Sequence, residues 1–146
     1  MSDRPNDTDC IFCAIVNGDI PARTVTTTDE TIAFLDVNPL APGHTLVIPK
    51  GHYETIADAP PSVRNAVFQQ LAALAEPVEA AVGADASNIG INNGAEAGQE
   101  IPHLHGHIVP RFMDDGGKPI HAVAGKKPTL SDAELDDIAA SISERV

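Results

Sequence analysis

The sequence predicts an α+β domain built on an antiparallel sheet of about five strands, with a short N-terminal helix, a long central helix and a C-terminal helix. Three observations carry this. Segments with strand periodicity cluster instead of alternating with helices. One long apolar stripe, Val63, Val67, Leu71, Leu74, Val78 and Val82, steps by three or four residues and separates three strand segments from two others. A chain of 146 residues with 42% hydrophobic content can bury one real core, so residues 1–146 read as a single domain.

The elements follow in order. Asp9 is expected to cap a short helix over Ile11 to Asn17, where Ile11 and Ile15, and Phe12 and Val16, lie at helical spacing. Gly18 ends it, and Pro21 follows. Arg23 to Thr28 is rich in Thr and Val and reads as a strand. Asp29-Glu30 reads as a turn, and Thr31 to Asp36 as a second strand with Ile32, Phe34 and Asp36 on one face. Val37 to Gly43 is a Pro- and Gly-containing loop, and His44 to Ile48 a third strand. Pro60-Pro61-Ser62 opens the long helix with Ser62 as its cap, and Pro77 is expected to kink it or end it early. Ser87 to Asn93 and Leu104 to Val109 read as strands on either side of a Gly-rich loop. Ser131-x-x-Glu134 is a capping box, and Leu135, Ile138, Ala139 and Ile142 are expected to form the buried face of the last helix.

Composition excludes several functions. A formal net charge of −12 opposes binding to nucleic acid or anionic membranes. Aromatic residues are 3% of the chain and Trp is absent, which removes stacking platforms for single strands. A phosphate site in such a chain must be built from local donors. The acidic, lysine-poor surface suits a high-salt cytoplasm. Met1 to Asp9 is polar and acidic, unlike a secretory leader, and no apolar run approaches membrane-spanning length. A cytoplasmic protein is expected.

The densest chemical signal is His103-Leu104-His105-Gly106-His107. On a strand, side chains at i, i+2 and i+4 share a face, so the three imidazoles would line one surface. Imidazole near neutral pH can act as a nucleophile or proton donor, and it can form a covalent link to phosphorus. Two other readings stand beside this one: three histidines on an exposed strand, and a zinc arrangement of the His-x-His type. Cys10-x-x-Cys13 is the second constellation. Two thiolates at that spacing can hold half of a tetrahedral zinc; a redox pair or two unliganded thiols are the alternatives.

The run from His103 through Arg111, His-Leu-His-Gly-His-Ile-Val-Pro-Arg, resembles the motif of the histidine-triad family. Ile11-Phe12-Cys13-Ala14-Ile15 with Ile20-Pro21-Ala22 is similar to that family's opening helix. Phe34 to Pro39, and Gly43 to Lys50, resemble its nucleoside loop; Asn92-Asn93-Gly94 with Ala97-Gly98-Gln99 resembles its phosphate loop. The likeness covers roughly residues 10–111 in the right order, and residues 113–146 carry no motif.

The resemblance, to the nucleotide-binding branch of the family, implies a histidine-triad fold, a homodimer whose sheets join edge to edge, a purine nucleotide substrate and attack on its α-phosphorus. It implies His105 as nucleophile and His107 and His44 as phosphate contacts. Asp36 would accept from the ribose hydroxyls, and Asn92 and Gln99 would donate near the phosphate. Ile11, Phe12, Ile15, Ile20, Phe34, Leu35 and Val37 would wall the base. For Asp36 and Asn92, plain turn chemistry is the competing reading, and for His44 an ordinary strand-start residue. Some microbial members complete a zinc site at Cys10 and Cys13 with two histidines, here His52 and His103. Such a zinc would be structural, holding His103 neutral and bracing the strand that carries His105. Glu100 departs from the pattern. Many members have a Ser or Thr there, facing the leaving group, and a carboxylate would disfavour an anionic leaving group. The activity implied is nucleotide phosphoramidase or nucleotidyl hydrolase. Dinucleoside polyphosphate hydrolysis and slow-turnover nucleotide binding are the alternatives.

Overall fold

A computed structural model describes residues 4–146, so the first three residues of the polar N-terminal stretch lie outside it. The elements are α1 (Ile11–Val16), β1 (Thr24–Thr27), β2 (Thr31–Leu35), β3 (Thr45–Pro49), α2 (Pro61–Val82), β4 (Ala86–Gly90), β5 (Gly106–Arg111) and α3 (Asp132–Ser143). The five strands form one antiparallel sheet in the order β1-β2-β3-β5-β4. This is the α+β architecture that clustered strand segments predict.

Strand alternation divides the core in two. Ala33, Val47 and Ile108 pack with Val63, Val67, Leu71 and Val78 of α2, which confirms the apolar stripe. Phe34, Leu46 and Ile48 pack instead with Phe12, Cys10 and Cys13 of α1. The sheet therefore carries the long helix on one face and the cysteine-bearing helix on the other. Gly106 shows how close α2 lies. A Cβ there would stand 2.7 Å from a Leu71 methyl carbon, so any side chain would have to push Leu71 aside.

Several local expectations need correction. Cys10, not Asp9, caps α1, its Sγ accepting from the Cys13 N–H at 3.4 Å. Ser62 caps nothing: α2 starts two residues earlier than that cap would place it, with Pro60 as N-cap and Pro61 in the first turn, where a missing N–H costs no hydrogen bond. Pro77 does not end α2, which runs on to Val82 because Val78 beyond it is buried in the core. Gly83, in the left-handed region at φ 70°, stops it. The strand expected over Ser87 to Asn93 runs from Ala86 to Gly90, and that expected over Leu104 to Val109 starts at Gly106 and ends at Arg111. Finally, the capping box of α3 forms as expected, but Leu135, Ile138 and Ile142 are exposed, not buried.

Candidate functional site

The histidine run keeps its alternation without being a strand throughout. Leu104 joins the α2 side of the core and Gly106 faces Leu71, so the imidazoles at 103, 105 and 107 turn to the other face. Only His107 lies on β5; the backbone before it is held by the Leu104 N–H donating to the Tyr53 carbonyl at 2.6 Å. From there the three rings part company.

His103 is fully buried and faces sulfur. Its Nε2 lies 2.9 Å from the Pro49 carbonyl, which can only accept, so Nε2 carries the proton and Nδ1 carries the lone pair. That Nδ1 lies 3.4 Å from Cys10 Sγ and 3.6 Å from Cys13 Sγ. Burial pushes the His103 pKa down to about 4, so the ring is neutral at physiological pH. His52 Nδ1 lies 3.4 Å from Cys13 Sγ. The four ligand atoms of Cys10, Cys13, His52 and His103 lie within 4.8 Å of one another. They fit a metal. Tetrahedral zinc with ordinary Zn–S and Zn–N bonds separates S and N by about 3.6 Å, which is the spacing found. Burial raises the Cys13 thiol pKa, opposed by the Asp7 N–H that donates to its Sγ at 3.5 Å.

His105 is buried beside Phe12, with ring centres 5.3 Å apart edge-on. Its Nδ1–H donates to the His103 carbonyl at 2.7 Å, which leaves Nε2 with the lone pair. The ring is held on both sides, since the His107 ring centre is 5.0 Å away.

His107 and His44 form a directed pair. The Leu40 N–H donates to His44 Nδ1 at 3.1 Å, so the neutral His44 carries its proton on Nε2. That Nε2–H donates to His107 Nδ1 at 2.9 Å. His107 must then carry its own proton on Nε2, a buried atom with no hydrogen-bond partner among the described residues. Burial lowers the His44 pKa, and burial with the neighbouring imidazoles lowers that of His107 to about 4. An orphaned buried N–H beside an imidazole lone pair is an arrangement that suits an anionic oxygen next to an electrophilic centre.

Asp36 stands at the end of β2 with its Oδ2 3.7 Å from His44 Nε2. Its Oδ1 accepts from the Asn38 N–H at 2.9 Å, so the turn bond is present beside the contact with the histidine pair. Phe12 and Phe34 are buried edge-on with ring centres 5.6 Å apart. Ile11, Ile20 and Val37 are exposed, and Ile15 and Leu35 are half-buried, so part of this apolar wall is open to a ligand.

Gln99 differs from the expected phosphate donor. Its amide N–H groups donate to the Glu54 and Ile101 carbonyls and its oxygen accepts from the Gly94 N–H, so the side chain braces its own loop. Asn92 is exposed and lines a groove of about 860 Å³ that also reaches His107. None of the α1 or β2 residues lines this groove; its far wall is Arg111 and the segment from Gly117 to Ala124. Arg111 holds that wall by donating to Asp115, Asn88 and the Lys118 carbonyl. Sequence reasoning had no signal for this wall, nor for the Leu40 N–H, because a backbone donor leaves no mark in a sequence.

A HIT domain family model matches residues 17–114. Adenylylsulfatase HINT3 of Arabidopsis thaliana is 44% identical over 107 residues, which are 73% of this chain and 54% of that protein. The chain thus spans about half the length of that relative. The crystal structure of a HIT family member from Bacillus subtilis superposes with a TM-score of 0.83 at 33% identity, covering 94% of this chain and 97% of that one. A zinc-bound histidine triad family protein from Mycobacterium smegmatis gives a TM-score of 0.70 at 31% identity, covering 94% and 98%. An α+β sheet with an imidazole run at the start of β5 defines a histidine-triad protein. This chain belongs to the HIT family.

Proposed function

We propose that the chain is a nucleotidyl hydrolase that acts on the α-phosphate of purine nucleotide derivatives, with phosphoramidates as the favoured class. The observation that carries this reading is the tautomer of His105. With Nδ1–H donated to the His103 carbonyl, Nε2 presents a lone pair. It attacks the α-phosphorus, the bond to the leaving group breaks, and the leaving group takes up a proton from solvent. Water then displaces the imidazole from phosphorus, returns a proton to solvent, and releases a nucleoside monophosphate. The unpartnered His107 Nε2–H donates to a phosphate oxygen, with His44 behind it and Asn92 at the rim. Asp36 accepts from the ribose, and Ile11, Phe12, Ile15, Ile20, Phe34, Leu35 and Val37 wall the base.

The metal in the Cys10, Cys13, His52 and His103 cluster is zinc in this reading, supported by the S···N spacing and by the zinc-bound relative. Four protein ligands leave no open position, so its role is structural. When bound it supplies a fixed, neutral His103, whose carbonyl in turn orients His105. The open outer edge of β4 and the exposed tail support a homodimer. The proposed site of action is the cytoplasm; among the described residues no helix is long and apolar enough to cross a membrane.

The adenylylsulfatase relative favours a second substrate, an adenylyl sulfate, attacked at the same phosphorus. Glu100 is exposed in the phosphate loop, and its charge weighs against that anionic leaving group. The deciding experiment is acid-quench intact-protein mass spectrometry with adenosine phosphoramidate on wild type and His105→Ala. A nucleotidyl adduct on wild type alone is the expected result. Equal consumption by both proteins without an adduct would sink the mechanism. Running adenylyl sulfate in parallel ranks the two leaving groups.

A further inference from the structure

The segment that precedes α1 lies outside the residues matched by the family model, yet it wraps the four-residue cluster. The His52 N–H donates to the Pro5 carbonyl at 2.7 Å, and the Cys10 N–H donates to the Asp7 carbonyl at 3.1 Å. Asp7 touches the cluster in two further ways. Its N–H donates to Cys13 Sγ at 3.5 Å, and its Oδ2 lies 3.9 Å from His52 Nε2. The other carboxylate oxygen accepts from the Asp9 N–H at 2.9 Å, which fixes the side chain in a turn.

These contacts complete an asymmetry. Both histidines turn Nδ1 toward sulfur, so both must carry a proton on Nε2. His103 Nε2 has the Pro49 carbonyl. For His52 Nε2 the facing group is the Asp7 carboxylate at 3.9 Å, longer than a direct hydrogen bond, so it acts on the neutral ring through the field of its charge. A carboxylate behind a ligating imidazole fixes its ring and raises its basicity, while an N–H to sulfur stabilises thiolate.

We propose that Asp7 is a positioning residue of the metal centre: its carboxylate orients His52 with Nδ1 toward the metal while its N–H supports the Cys13 thiolate. This rests on the reading of the cluster as a zinc site. Residues 5–9 thereby become part of the centre, although they supply no ligand.

The test is zinc affinity of the full chain, stripped of metal and titrated against a chromophoric chelator. Asp7→Asn keeps an oxygen for the Asp9 N–H and keeps the backbone N–H to sulfur, and removes only the charge facing His52. It is expected to bind zinc about tenfold more weakly than wild type, the lower end of what removing such a partner costs. A second pair places the same change on His52→Cys, where a thiolate replaces the ring and needs no orienting acceptor. There Asp7→Asn is expected to leave affinity unchanged. Equal affinity of wild type and Asp7→Asn overturns the proposal, and so does an equal loss in both backgrounds, which would mean that Asp7 only supports the turn. Wild type that binds one equivalent of zinc, lost in Cys13→Ala, upholds the zinc reading separately. Wild type that binds none overturns that reading and the proposal with it.

Discussion

His103 and His107 flank His105 symmetrically in sequence, and the fold puts the same side chain to opposite uses. His103 has every polar atom engaged: Nε2 with a carbonyl, Nδ1 with two sulfurs. His107 ends a chain of donors and leaves its last N–H with no partner among the described residues. Burial pushes both pKa values down to about 4, so protonation state does not separate them. What separates them is whether the neighbours complete the hydrogen bonding. A completed set holds the fold, and an incomplete one waits for a ligand.

The comparison breaks most sharply at His105, which lies between the two and depends on both. His105→Ala is expected to lower turnover by about a thousandfold or more, since it removes the proposed nucleophile. Zinc content by atomic spectroscopy is expected to stay at the wild-type level. Loss of zinc in that variant would mean that the two halves are one site, with the metal on the histidine row.

On the completed side, Cys13→Ala removes one of the four proposed zinc ligands. Zinc content is expected to fall to near zero, and stability by several kcal/mol, because metal binding energy is folding energy in such a centre. Adduct formation at His105 is expected to slow but persist, since the His103 carbonyl remains. Retained adduct without zinc would also exclude a catalytic metal. Complete loss of the adduct in folded protein would show that the centre takes part in chemistry.

On the incomplete side, pH is the lever. The His107 pKa is about 4 in the folded chain and near its ordinary 6.5 when unfolded. Between those values the unfolded chain binds the proton and the folded chain does not. Stability from this group is therefore full above about pH 6.5 and is lost as pH falls toward 4. The loss is at most about 1.4 kcal/mol for each pH unit crossed, and less where solvent reaches the ring. His44 and, in zinc-free protein, His103 are also shifted down and add in the same direction. Urea denaturation of zinc-free protein from about pH 7 to about 4.5 should show the decline, and His107→Gln should make it shallower by the share of that one ring. An equally steep decline in His107→Gln would assign the effect elsewhere.

How far the sequence reached follows the same division. The candidate donors were legible in residue types: Cys10-x-x-Cys13 and three alternating histidines name thiols and imidazoles wherever they fold, and the fold gathers Cys10, Cys13 and His103 into one cluster that could hold an ion. Alternation placed Leu104 and Gly106 opposite the histidines, because a two-residue period survives even where the strand has not begun. Periodicity likewise gave the core face of α2. The misses have physical causes. Ser62 lost the cap to Pro60 because Pro61 tolerates the first turn, and an early end of the helix at Pro77 was overruled by the burial of Val78 beyond it. Leu135, Ile138 and Ile142 have helical spacing whether or not a partner covers them. Gln99 has phosphate-donor chemistry, but its loop uses it, and no spacing rule reveals where two carbonyls will lie.

The smallest expected effect isolates the direction of the His44–His107 pair. Everything about that direction starts from one backbone donor, the Leu40 N–H at 3.1 Å from His44 Nδ1. Leu40→Pro removes this N–H and no side-chain polar group, and it follows Pro39 in a loop already rich in proline. A neutral hydrogen bond is worth about 1 kcal/mol, so the preference of His44 for a proton on Nε2 should weaken by about fivefold. If the proton moves to Nδ1, His44 Nε2 becomes an acceptor, His107 must donate from Nδ1, and its Nε2 loses the hydrogen that would meet an anion. The nitrogen-15 shifts of His44 and His107 should then move toward the other tautomer, and kcat should fall by up to about fivefold. Unchanged shifts with reduced kcat would mean that the loop acts through shape alone, and the contrast between His103 and His107 would then rest on packing instead of on where the protons sit.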